Sequence, residues 1–182
     1  QLMNAIRDVP TKVWLGGNHE HRLDAYYADR VPALDYAPTR FGREFHLRDY
    51  GVRWIHYIAE DGYGSYPLGK LLVTHGFMTG ASGTVGKKHY YRLGKPVLIG
   101  HTHTLGSWFH TIMDGMHGAW ENGCLCRLTP EFAIYPDWQN AFAVVTVQPD
   151  GHFFVQQIPV FERRMMMYGR DVYEIKRRDR KR

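Results

Sequence analysis

Apolar residues along this chain come in short runs, each closed by glycine, proline or a polar pair. The runs Val13-Trp14-Leu15, Leu71-Leu72-Val73 and Val97-Leu98-Ile99 are the length of buried strands, and 52–59, rich in aromatic and branched residues, reads as another. Leu23, Tyr26, Tyr27 and Val31 recur at helical spacing, which predicts an amphipathic helix over 21–31. Further helices are predicted at 2–8, ended by Pro10, at 41–50, ended by Gly51, and at 87–93, ended by Gly94 and Pro96. Pro32 and Pro38 bracket a loop, Asp61-Gly62 begins another, and the glycines at 80, 83 and 86 make 77–86 a third. From there the pattern is strand and turn. Segments 107–113 and 116–120 flank Asp114-Gly115, and 142–147 and 153–158 flank Pro149-Asp150-Gly151, predicting two hairpins. Strand–helix alternation followed by strands predicts an α/β layered domain with mixed sheets.

Three of the strand ends carry polar side chains of one chemical kind. Gly16-Gly17-Asn18-His19-Glu20 follows Leu15, Thr74-His75-Gly76 follows Val73, and Gly100-His101-Thr102-His103 follows Ile99. Two histidines separated by one residue face the same side of an extended chain, and neutral imidazole is a common metal ligand. In open α/β sheets, ligands collect beyond the carboxyl ends of strands. Histidine with amide oxygen and carboxylate suits Mn, Fe or Zn at a hydrolytic site.

The ordered trio Gly17-Asn18-His19-Glu20, Thr74-His75-Gly76 and Gly100-His101-Thr102-His103 resembles the last three motifs of the calcineurin-like metallophosphoesterase family. The resemblance implies a four-layer α/β/β/α sandwich with two divalent metal ions, Mn first and Fe or Zn as alternatives. It implies hydrolysis of a phosphate ester, monoester or diester. Carried over, Asn18, His75 and His101 would ligate one metal and His103 the other. His19 would stand beside the scissile phosphate as a catalytic residue, and Glu20 would hold the His19 ring. The family's two earlier motifs, Asp-x-His and Gly-Asp-x-x-Asp, do not precede Gly17. Asp150-Gly151-His152 has the first form but sits in a predicted hairpin turn and is not assigned. The expectation is therefore the carboxyl-terminal portion of an enzyme, binding metal weakly and inactive alone. The alternatives are an accessory or nucleic-acid-binding module with the same fold, or one half of a split enzyme.

Composition narrows this further. The 182 residues, 44% hydrophobic and 23% charged, have the make-up of an ordinary folded domain. There is no internal repeat or linker, so 1–161 is expected to be one domain and 162–182 a basic tail. Lysine plus arginine balance aspartate plus glutamate over 1–161 (14 each), while 162–182 hold 9 against 4, which is the whole net +5. The tail leaves nucleic acid open as a partner by general electrostatics. No apolar run approaches a membrane span, so no membrane partner is expected. Cys124 and Cys126 read as small buried hydrophobes, and two thiols without a disulfide framework point to a reducing, cytoplasmic compartment. Tyr90, Tyr91, Arg92, Trp108 and Phe109 read as core before substrate groove. His19-Glu20 is not continued by a histidine at position 23, which is Leu, so a zinc-protease helix is excluded. No Gly-x-Ser-x-Gly elbow or phosphate-binding Gly-Lys-Ser/Thr loop is present.

Overall fold

The computed structural model describes residues 6–30, 45–162, 164–167 and 170–174. The first part of the 2–8 helix, the end of the 21–31 helix at Val31, the Pro32–Pro38 loop, the start of the 41–50 helix and the basic terminus 175–182 lie outside them. The protein is a mixed α/β fold with several sheets and few helices. Its elements are β1 (Lys12–Leu15), α1 (Asn18–Arg30), a 3-10 turn (Leu47–Tyr50), β2 (Val52–Ile55), β3 (Ser65–Leu68), β4 (Leu71–Thr74) and α2 (Val85–Leu93). They continue with β5 (Val97–Ile99), β6 (Leu105–Ile112), β7 (Gly115–Asn122), β8 (Ala141–Val147), β9 (Phe153–Phe161), β10 (Arg164–Met167) and β11 (Arg170–Glu174).

Three sheets result: β1-β2, β11-β10-β9-β8 and β3-β4-β5-β7-β6. The chain groups into two compact units, a division that no linker in the sequence marks. The first holds residues 1–67 and 73–77, and the second 68–72 and 78–182.

In the first unit β1 and β2 run parallel with Leu15 opposite Ile55, and Trp14 lies against Trp54 with ring centroids 6.4 Å apart. Helix α1 begins at Asn18, three residues before the expected start. Apolar periodicity cannot register a first turn made of Asn18, His19 and Glu20. The Glu20 carboxylate accepts the Gly17 N–H at 3.0 Å, which satisfies an otherwise orphaned donor and suits the positive end of the helix dipole. The expected 41–50 helix is, in its described part, only the 3-10 turn, closed by Gly51 in the left-handed conformation (φ 66). The expected 52–59 strand stops at Ile55, where the chain turns off into a loop.

The second unit is built on β7. This strand pairs parallel with β5 and antiparallel with β6, forming the Asp114-Gly115 hairpin with wider strands than expected. Helix α2 lies on them, burying Val85 and Tyr90 with Val97, Ile99 and Ala119, and Leu72, Met78, Leu93 and Trp108 pack around this cluster. Each fully buried aliphatic side chain contributes roughly 1.5–3 kcal/mol. The second hairpin, β8 with β9, keeps register from Ala141↔Pro159 to Val147↔Phe153. Strands β10 and β11 extend that sheet within the segment expected to be a tail. Strand β3 was not expected, because Pro67 reads as a loop signal. It is the outermost strand of its sheet, where a missing N–H is tolerated. Among the described residues no helix is long and apolar enough to cross a membrane.

Candidate functional site

Asn18 and His75 lie 57 positions apart in sequence, yet His75 Nε2 stands 2.9 Å from Asn18 Oδ1 in the first unit. Both side chains are half-buried. Asn18 starts α1 just past β1, and His75 follows β4. A Cβ on Gly17 would lie 2.6 Å from His75 Cε1 and Nδ1, so only glycine lets the imidazole lie across the backbone here. The His75 backbone N–H donates to Gly64 O at 3.2 Å. The Tyr57 ring meets the imidazole edge-on, 87° between planes and 5.5 Å between centroids. The Tyr57 hydroxyl donates to Gly76 O at 3.0 Å. Burial, and secondarily Tyr63, raise the Tyr57 pKa, so its hydroxyl stays a donor. A small cleft of about 90 Å³, lined by residues including Glu20, His21, Asp24, His56 and Tyr57, borders this arrangement.

His19 is exposed on the first turn of α1. One Glu20 carboxylate oxygen is turned back onto Gly17 N at 3.0 Å.

His101 and His103 belong to the second unit, in the turn after β5, and both are half-buried. The chain does not stay extended there: His103 has φ 62, so the same-side argument for His-x-His does not apply. A side chain absent from the sequence reading holds this turn. Glu121, 1% exposed, accepts Thr104 Oγ1–H at 2.6 Å and Thr102 Oγ1–H at 3.3 Å on one carboxylate oxygen. Its other oxygen accepts the Val85 and Gly86 N–H groups at 2.8 and 3.0 Å. One buried carboxylate thus caps α2 and fixes the threonines that alternate with the histidines.

The His103 ring packs edge-on against Trp138 with centroids 4.5 Å apart. Two of its metal-competent neighbours are Cys124 and Cys126: one ligand atom from each of the three residues lies within 4.8 Å of the others. The cysteines are not the buried pair expected. Cys124 is half-buried, Cys126 exposed, and both are free thiols. Burial, and next the Cys126 thiol, push Cys124 up to about 11.

Of the aromatic candidates, Tyr90 is core as expected, and its hydroxyl meets His117 Nδ1 at 2.9 Å. Tyr91 and Phe109 are exposed. His89 is fully buried: its Nδ1–H donates to Val85 O at 2.9 Å and its Nε2 accepts Met78 N–H at 3.3 Å. Both nitrogens of a neutral ring are thereby used, and burial lowers its pKa.

No protein-family model, no curated protein and no solved structure matches this chain.

Proposed function

We propose that this chain supplies part of the metal site of a phosphoesterase that hydrolyses a phosphate monoester or diester, within a four-layer α/β/β/α sandwich. The observation that supports the reading is the Asn18–His75 contact. Two ligands of one octahedral cation, each about 2.1 Å from it, stand about 3 Å apart. The hydrogen bond between His75 Nε2 and Asn18 Oδ1, 2.9 Å long, already holds the two donor atoms at about that spacing. Amide oxygen and imidazole nitrogen suit Mn, Fe or Zn, so the donor pair fits.

Bound divalent cations would acidify a water molecule and compensate phosphate charge. The chain's own residues do the rest. Gly17 leaves room for the His75 ring, Tyr57 fixes that ring's tilt, and Glu20 secures the turn that presents Asn18. His19, exposed one residue on, is free to donate a proton to the leaving oxygen.

The test is hydrolysis of an aryl phosphodiester and an aryl phosphomonoester with Mn²⁺, using the protein at its full natural length. Asn18→Ala and His75→Ala are each expected to lower kcat/KM by about 100-fold. Full activity in either variant would overturn the assignment.

A further inference from the structure

We propose that His103, Cys124 and Cys126 form a zinc site of their own, one imidazole nitrogen and two thiolates, with a fourth position open to water or another ligand. This goes beyond the phosphoesterase reading and gives His103 a different cation from the one the family resemblance implies.

The geometry carries the assignment. The three ligand atoms already lie within 4.8 Å of one another. Tetrahedral zinc, with about 2.3 Å to sulfur and 2.0 Å to nitrogen, needs about 3.5–3.8 Å between them. Side-chain rotation covers the remaining ångström, because the backbones are already tied. Gly123 N–H donates to Thr104 O at 2.8 Å, Gln139 N–H to His103 O at 3.0 Å, and Cys124 N–H to Gln139 O at 2.9 Å. The Gln139 side chain accepts Leu105 N–H at 2.8 Å. Asn140 Nδ2 donates to Cys124 O at 3.1 Å and Cys126 O at 2.9 Å. The same amide stands 3.7 Å from Cys124 Sγ, placed to support a thiolate from outside the ligand shell. Three loops that carry or support the ligands are thus one hydrogen-bonded body before any ion arrives.

Chemistry selects the ion. Two sulfur donors and an imidazole are a soft set that favours zinc over Mn²⁺ or Mg²⁺. Each thiol gives its proton to solvent as the cation binds. Two thiolates neutralise the cation's two charges, so no carboxylate is needed. Cys-x-Cys spacing is unfavourable for a disulfide, which leaves both thiols available.

Cobalt is the probe. The full chain, reduced and titrated with Co²⁺, is expected to develop thiolate-to-cobalt charge-transfer absorption that saturates at one cobalt per chain and disappears when Zn²⁺ is added. Cys124→Ser and Cys126→Ser are each expected to lose most of that absorption, and His103→Gln to weaken binding at least about tenfold. Both serine replacements are nearly isosteric, and their thermal melting should match the parent. No charge-transfer band, or a band that survives the Cys124→Ser/Cys126→Ser double variant, would overturn the proposal. His75→Ala should leave the thiolate-to-cobalt band unchanged. A failure of phosphoesterase activity is therefore distinguishable from a failure of this site.

Discussion

The two units solve the same problem, holding a histidine beside a second donor, in opposite ways. In the first, His75 meets Asn18, an amide oxygen. The pair is held by what is missing, the side chain of Gly17, and by the edge of Tyr57. In the second, His103 meets two thiols. The turn that carries it is held by what is added, a buried Glu121 carboxylate with its four donors. The donors differ in softness, so the two sites should prefer different cations. Their supports also differ in kind, and so should their failures: overpacking in one case, unpaired polar groups in the other.

The largest break should come from Glu121→Ala. It leaves the buried Val85 and Gly86 N–H groups and the Thr102 hydroxyl without the carboxylate, while Thr104 keeps Thr102 Oγ1 at 2.8 Å as an acceptor, a loss of roughly 2–4 kcal/mol in urea unfolding. Glu121→Gln keeps the shape and one of the two acceptor oxygens, and should cost less. If Glu121→Ala is neutral, the carboxylate does not anchor the turn.

Gly17→Ala should cost about 1–3 kcal/mol by overpacking against the His75 ring. It should weaken Mn²⁺ binding in calorimetry while leaving the cobalt spectrum of the thiol site intact. Loss of both together would collapse the distinction between the units.

Alkylation of Cys124 should be slow at neutral pH and rise about tenfold per pH unit toward about 11, since only the thiolate reacts. Zinc should protect both cysteines. Mass spectrometry of the labelled protein, site by site, reads both effects. Rapid Cys124 labelling at pH 7 would contradict the burial that raises it.

The smallest effect is a pH slope from His89. Its folded pKa lies below the ordinary 6.5, so below that pH the unfolded chain binds a proton that the folded one refuses. Stability from this residue is therefore full above pH 6.5 and declines as the pH falls. Urea midpoints at successive pH values should show the decline in the parent and a weaker one in His89→Leu.

Much of this protein is legible in its sequence, because the signals are local. The runs at Lys12–Leu15 and Val97–Ile99, the Asp114-Gly115 turn and the hairpin around Asp150-Gly151 all appear where spacing and turn chemistry place them. Alternation and turn preference act between residues a few positions apart, so they survive without knowledge of the rest of the chain. Asn18 and His75 could be named as candidates for the same reason: each follows an apolar run.

Partnership was decided by tertiary structure alone. Nothing near Glu121 in sequence says that it caps α2 from 36 positions away. Nothing near Cys124 says that His103 waits beside it, because that meeting needs the turn after β5, the end of β7 and the loop before β8 to close on one another. Pro67 could be placed in a strand only once that strand was seen to lie outermost in its sheet. Side-chain chemistry is written residue by residue, but which residues share a site depends on long-range register, and that is set when the sheets pair.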